Sequence, residues 1–435
     1  MIYLFVGVCI LLSLTANNTE KNLFNPVTIF SGLWGIIIFL SSLHLFGLDN
    51  GSSNIYIMFF CGIIAFSCGY YITKNLIKNR RFVIDHNSFG KGSFDLNYRL
   101  IYLFALICIP FYLKDLISVV SMIGSGRSLG AIQNLLQSGT YENTRSSIEN
   151  AIRLLIVTPF TCWMCGPILC TEFWFGKRDK KLILLLFFLA MLRVFSTGGR
   201  ATIIQLAFCF VCTFTFFNSN NKANSIELKR YIKNNKKLFI RASMLILLLV
   251  AWMTYSRSGL NALKTIYYDF AMQPLMYEKW VSEVDSANLI GYGTASLNGF
   301  LFPVDYILRN TLHINLGMLY KKVYTLIALT DSKWQYISPT IRANAYVSAF
   351  WFFYLDARNF GVLIFSFIYG CYCRMSFKNA VFNSNLRSIA VYSLVAVGVF
   401  YTFGRFQLSQ HTYVLALLYL KYFMFKRSSI RNEIE

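Results

Sequence analysis

Charge is scarce in this chain. Only 14% of its 435 residues are Asp, Glu, Lys or Arg, where a soluble protein carries about a quarter, and that shortage excludes an ordinary water-facing domain of this size. Acidic residues are fewer still, 19 against 41 Lys and Arg, with four histidines and seven prolines. There is no Pro-rich linker, low-complexity tract or internal repeat. Soluble-enzyme signatures are missing too: no G-x-x-x-x-G-K-[ST] phosphate loop, no H-E-x-x-H and no G-x-S-x-G elbow. A nucleotide-driven pump is therefore not expected. All eleven cysteines fall in apolar runs and none in 257–358, which argues against a disulfide framework. Cys162 and Cys165 of "CWMC", like Cys371 and Cys373, read as small buried hydrophobes, and no metal site or cofactor is expected.

What the chain has instead is apolar surface. Hydrophobic residues make up 56% and aromatics 17%, with a mean hydropathy of +0.50. Runs of about 16 to 22 apolar residues recur throughout, each long enough for roughly 30 Å of hydrocarbon, and their backbone groups must be satisfied as helix. Eleven spans are expected: 1–16, 26–47, 54–73, 100–121, 152–171, 181–196, 200–217, 238–256, 359–373, 388–403 and 409–425. The first has no basic leader and is followed by span after span, so it reads as a retained helix and not a secretory signal. The expected fold is an all-α polytopic membrane protein, divided into an N-terminal bundle (1–256), one large outer loop (257–358) and a C-terminal helical segment with a short tail (359–435).

Basic residues set the orientation. Connections 74–99, 172–181, 218–241 and 374–387 and the tail from 421 hold 24 of the 41 Lys and Arg, and short basic connections stay inside. The net charge of +22 is then mainly a topology signal that suits anionic lipid, not nucleic acid. Alternation puts 48–53, 122–151, 196–200, 257–358 and 404–409 outside. Within 257–358, stretches such as "NTLHINLGMLYKKVYTLIALT" read as amphipathic helices lying on the membrane.

Arginine is unevenly placed. Outside it outnumbers lysine, and Arg193, Arg200, Arg257, Arg358 and Arg405 lie near expected outer helix ends, where a guanidinium fork is suited to phosphate or carboxylate. Snorkelling to lipid phosphates is the competing explanation for each one alone. In "FSTGGRATIIQLAF" (195–208), Gly198 and Gly199 permit close backbone approach and Arg200 opens the next helix, whose N-terminus favours an anion. The turn reads as part of an outward-facing site for a lipid carrier's phosphate or pyrophosphate.

The "STGGR" hairpin, Arg257 ahead of the large loop and "NAYVSAFWFFYLDARNFG" at its end together resemble the Wzy-type O-antigen polymerases, the oligosaccharide repeat unit polymerases of bacterial surface polysaccharides. Asn344, Tyr346, Asp356, Phe360 and Gly361 match that family's pattern. Val347 departs from it, and Ala357, Arg358 and Asn359 separate Asp356 from Phe360. The resemblance implies an inner-membrane, multi-pass glycosyltransferase of GT-C-like architecture, akin to the O-antigen ligases, with its site facing the periplasm. It implies metal-independent, inverting transfer of a glycan from undecaprenyl pyrophosphate to a second lipid-linked unit in lipopolysaccharide biosynthesis, with a chain-length regulator as an optional partner. Two rivals are an O-antigen ligase and a lipid-linked oligosaccharide flippase.

On that reading Arg200 and Arg257 hold pyrophosphate, seconded by Arg193, Arg342 and Arg358. His313, Asp305, Glu278 and Asp356 are alternative bases. Packing or surface placement competes for His313, and pairing with Arg358 or capping the helix near Asn359 competes for Asp356. Tyr292, Trp334 and Tyr336 are expected to stack on sugar rings or anchor at the interface.

Overall fold

The computed structural model describes residues 1–78, 94–127, 146–197, 199–220, 261–339 and 341–427, with isolated positions at 132, 244, 248, 251, 254 and 255. In chain order the helices are α1 (Ile2–Glu20), α2 (Pro26–Ser42), α3 (Ser53–Lys78), α4 (Tyr98–Gly124), α5 (Ser147–Trp174), α6 (Lys180–Thr197), α7 (Ala201–Asn220), α8 (Ala262–Ala271), α9 (Gln273–Ser286), α10 (Asn298–Thr311), α11 (Met318–Ser332), α12 (Ser348–Asn383), α13 (Leu386–Phe400) and α14 (His411–Tyr422). The strands are β1 (Phe94–Leu96), β2 (Gln335–Ser338), β3 (Ile341–Ala343) and β4 (Phe425–Arg427). Among the described residues seven helices are long and apolar enough to cross a membrane: α1, α3, α4, α5, α7, α12 and Leu386–Phe403; α2 is a shorter apolar helix. The chain is thus an all-α polytopic membrane protein. The expected span 238–256 lies largely outside the described residues.

Local chemistry sets the helix starts. Asn25 caps α2, its side chain accepting from the Thr28 amide at 2.9 Å, with Pro26 in the first turn where no amide is missed. Ser146 caps α5 in the same way, accepting from Glu149 N at 3.2 Å. Two π-helical stretches, 153–157 and 159–164, widen α5 on either side of Thr158.

By packing, the chain forms two units, each assembled from separate segments: 1–81, 263–378 and 395–414 in the first, and 82–262, 379–394 and 415–435 in the second. In the first, rings of Trp34, Phe30, Phe59, Phe66 and Phe350 interlock. Helices α3 and α12 approach so closely that a Cβ on Gly69 or Gly370 would stand 2.1 Å from the carbonyl oxygen of Phe367 or Phe66, the small-residue contact by which helices associate in lipid. At one end of this unit Glu20 bonds Lys74 at 2.8 Å and Arg374 at 3.0 Å, while Arg374 also donates to the Tyr70 hydroxyl at 2.9 Å.

α12 is not one rod. At Ala357 (φ −155°, ψ 36°) and Arg358 (φ 54°, ψ −142°) the backbone leaves the helix, and residues 348–356 fold back along 359–383. Phe353 and Phe365 rings stand 5.9 Å apart, and a Cβ on Gly361 would meet the Phe353 carbonyl at 2.0 Å. The short arm reaches far into the bundle. Phe350 packs 4.7 Å from Trp34, Trp34 Nε1 donates to Thr402 Oγ1 at 3.2 Å, and Val347 N donates to the Gly404 carbonyl at 3.1 Å. Trp34 is about 12 Å before the end of α2. Segment 347–350 and Gly404, expected in outer loops, and Thr402, expected at the end of the span 388–403, therefore lie level with the middle of α2. Irregular backbone at such a level is tolerated only where protein or a water-filled cavity surrounds it.

In the second unit β1 pairs antiparallel with β4, Phe94 opposite Arg427 and Leu96 opposite Phe425. Arg153 of α5 is clamped by Asp115 of α4 at 2.7 and 2.9 Å and by Glu149 at 3.0 Å. A buried arginine needs such carboxylates, because its desolvation is otherwise uncompensated. Trp174 gathers Phe173, Phe210, Phe214 and Phe217 around it. Cys165, fully enclosed, donates its thiol to the Leu186 carbonyl at 3.2 Å, as a small packing residue between α5 and α6.

Candidate functional site

The arginine hairpin forms as its sequence suggests. α6 ends on Thr197, and α7 begins where the Ile203 and Ile204 amides donate to the Arg200 carbonyl at 3.1 and 3.2 Å. Hydroxyls tighten the turn: Thr197 Oγ1 donates to the Arg193 carbonyl at 2.8 Å and accepts from Gly199 N at 3.3 Å. Both guanidiniums are half-buried. Arg193 donates to Thr202 Oγ1 at 2.8 Å and Arg200 to Thr254 Oγ1 at 3.0 Å. A hydroxyl bond of this kind holds a guanidinium in one orientation. Gly198 and Arg257 lie outside the described residues.

The first unit carries the other named arginines. Arg358, at the helix break, pairs with Asp285 of α9 and lies over the Tyr354 ring at 5.5 Å, and Tyr354 donates to Asp285 at 2.9 Å. The expected partnership of Arg358 with Asp356 is thus replaced by one with Asp285, a residue the sequence reading passed over. Arg342, exposed on β3, stands across the ladder from Tyr336 and 5.9 Å from its ring. With exposed Trp334 just ahead of β2, this hairpin puts two aromatic rings and a cation together. Tyr292, also exposed, is at the turn beside Asp356.

Asp356 is fully buried. Its carboxylate accepts from the amides of Ala295 at 2.9 Å and Ser296 at 2.8 Å, and Gly291 N and Tyr292 N donate to the Leu355 and Asp356 carbonyls at 2.8 and 3.0 Å. A Cβ on Gly291 would lie 2.5 Å from Asp356 Oδ1, so only glycine fits. Asp356 therefore ties the 291–296 turn to the end of the short arm. It caps neither the helix at Asn359 nor Arg358, and an acceptor hydroxyl has no open approach to it.

The other three candidate bases are separate. Asp305, buried on α10, accepts from Leu316 N at 3.3 Å and lies 4.0 Å from Arg309. His313 is exposed in the turn after α10 with φ 55°. Glu278 is half-buried on α9. Two polar arrangements were not foreseen: Arg405 with Asp331, described below, and His411, whose ring stacks on Phe302 at 4.3 Å with Nε2 buried and unpartnered. Arg405 was visible as an outer arginine; its partner 74 positions away was not.

Together, fold and residues define a multi-pass helical membrane protein with arginines concentrated at helix ends and breaks. No family model, curated protein or solved structure matches the chain.

Proposed function

We propose that this protein is a membrane glycosyltransferase that joins lipid-pyrophosphate-linked oligosaccharide units into a surface polysaccharide, acting at the outer face of the bacterial inner membrane. The observation that carries the reading is the hairpin, in which two guanidiniums are oriented by threonine hydroxyls, Arg193 by Thr202 and Arg200 by Thr254. The resemblance of 344–361 to the Wzy-type polymerases supports it.

On this reading the arginines hold the donor pyrophosphate. An acceptor hydroxyl attacks the anomeric carbon, the bond from that carbon to the pyrophosphate oxygen breaks with inversion, and the charge gathering on the leaving pyrophosphate is stabilised by the preoriented guanidiniums. The acceptor proton passes to a base late in the displacement. Of the four candidates, His313 is exposed and imidazole suits proton transfer near neutral pH. Holding two lipid-linked substrates side by side supplies most of the remaining advantage.

The test is the lipopolysaccharide ladder of a strain lacking the gene and complemented with wild type or Arg200→Lys. Core bearing a single repeat unit, with no higher rungs in the deletion and few in Arg200→Lys at equal protein level, is the expected result. Core with no repeat unit would instead indicate a ligase or flippase, and unchanged chain lengths in Arg200→Lys would remove the pyrophosphate role.

A further inference from the structure

The β2–β3 hairpin is firmly mounted and turns its rings outward. Its two ends are tied together: Asn344 Nδ2 donates to the Asp331 carbonyl and Ala345 N to the Thr330 carbonyl, each at 2.8 Å. Arg405 fixes the same end of α11, donating to Asp331 Oδ2 at 3.0 Å and to Thr330 Oγ1 at 2.9 Å. One flank is pinned to α9, where Glu283 accepts from Lys333 at 2.6 Å and from Gln335 at 3.2 Å. Ile337 and Ala343 are buried, while Tyr336 and Arg342 stand opposite each other on the exposed side of the ladder. Tyr336 is 57% exposed, and Trp334, two positions ahead, is 53% exposed. Their Cα atoms are at most about 7 Å apart, so one extended ligand can meet both rings.

The chemistry of this surface selects its ligand. The Arg342 guanidinium lies 5.9 Å from the Tyr336 ring and, among the described residues, engages in no hydrogen bond or ion pair, which leaves its fork of N–H donors open. Lipid is a poor occupant. Between 330 and 359, Trp334 and Tyr336 are the only large hydrophobic side chains exposed among the described residues, and Asp331, Lys333 and Arg342 are exposed around them. Helix α10, by contrast, exposes Phe300, Val304 and Ile307 at the spacing of one apolar stripe. Rings without aliphatic neighbours, beside an open planar donor, suit a ligand with an apolar C–H face and a polar rim. A sugar ring is such a ligand: its C–H bonds lie against an aromatic face, and its hydroxyls or a carboxylate accept from a guanidinium. We propose that the β2–β3 hairpin is a glycan-binding platform, on which sugars stack on Trp334 and Tyr336 while Arg342 donates to the sugar lying on Tyr336. This rests on the polysaccharide-joining reading and deepens it by assigning Arg342 to the glycan in place of pyrophosphate. The hairpin is held before the ligand arrives, and Trp and Tyr have little rotamer freedom to lose on binding.

The test is titration of the full-length protein, in a detergent without a sugar headgroup, with delipidated surface polysaccharide of the parent strain, followed by thermophoresis. Wild type is expected to bind saturably. Trp334→Ala and Tyr336→Ala should each weaken binding by about five- to tenfold, and Tyr336→Phe, which keeps the ring, should bind as wild type. Arg342→Lys keeps the charge, loses the fork and should weaken binding severalfold. All three side chains are exposed, and an unchanged melting temperature checks that each variant folds. Vesicles of phosphatidylcholine brominated on its acyl chains read the lipid alternative: quenching of the fluorescence component that Trp334→Phe removes would put that ring in hydrocarbon and overturn the platform. So would a wild type that does not bind the polysaccharide, or a Trp334→Ala, Tyr336→Ala double variant that binds it undiminished. Binding needs no glycosyl transfer, so the two readings fail separately. A ladder that indicates ligase or flippase would leave ring-dependent glycan binding in place, and loss of the platform would leave the single-rung ladder of the deletion strain unaltered.

Discussion

Arg193 reaches across the hairpin to Thr202, nine positions on, with a guanidinium nitrogen 2.8 Å from the threonine Oγ1. That bond joins the end of α6 to the first turn of α7 and fixes the direction in which the charge is presented. Thr202→Val keeps the shape and removes the acceptor. On the proposed polymerase reading, polymer length is expected to fall severalfold with protein level unchanged, a smaller loss than for Arg193→Ala; an unaltered ladder would show that the hydroxyl does not orient the charge.

Gly291 and Asp356 form a close joint in the first unit. Gly291→Ala forces a Cβ to within 2.5 Å of the buried carboxylate and is expected to destabilise by about 1–3 kcal/mol. Asp356→Asn keeps the volume but replaces one acceptor oxygen with a donor facing backbone amides, with a similar cost. Thermal unfolding in detergent measures both, and a melting temperature within a degree or so of wild type for either would contradict the clasp.

The contact of α3 with α12 predicts a sharp contrast among glycines. Gly69→Val and Gly370→Val, where even a Cβ would stand 2.1 Å from a carbonyl oxygen, should abolish accumulation of folded protein. Gly7→Ala, with nothing within 4 Å of the added carbon, should be neutral. Detergent-extracted yield and monodispersity read the difference.

A pH effect is expected from the partly exposed ion pair of Lys333 and Glu283. Lys333 donates to Glu283 at 2.6 Å and Gln335 does so at 3.2 Å; the Lys333 bond is the largest influence on the Glu283 carboxyl and, with help from the Gln335 bond and the Lys333 charge, holds it below its usual range against the opposing effect of burial. Because the folded value is depressed, the stabilisation is present above the unfolded value and is lost as pH falls through the folded one. Both partners are partly exposed, so the pair contributes less than about 1 kcal/mol. Glu283→Gln should lose that increment at neutral pH and differ from wild type progressively less as the medium is acidified below about pH 4.5; a difference that grew on acidification would refute the pairing.

The membrane helices were legible because their cause is local: α3, α4, α5, α7 and α13 cover the apolar runs expected at 54–73, 100–121, 152–171, 200–217 and 388–403. The hairpin at Arg200 was legible for the same reason, a turn between two such runs. What could not be seen depends on distant pairing. "FWFFYLDARNFG" reads as a loop running into a span, and nothing in its periodicity shows that 348–356 doubles back beside 359–383; that follows from the clasp between Asp356 and the 291–296 turn. Arg358 and Arg405 were visible as cations near helix ends, but Asp285 and Asp331, which hold them, are 73 and 74 positions away. Charge partners at that separation leave no local pattern.

The joint at Glu20 also has a history in time. Its two cations are 54 and 354 positions further along the chain, so the first helix is made long before the second partner exists. At roughly 5–20 residues per second, Lys74 follows within about ten seconds or less, whereas Arg374 is delayed by about 20 to 70 seconds. For most of synthesis the carboxylate has only the lysine to answer it, and the α1–α3 pair must wait as a half-finished frame until α12 arrives to lock it.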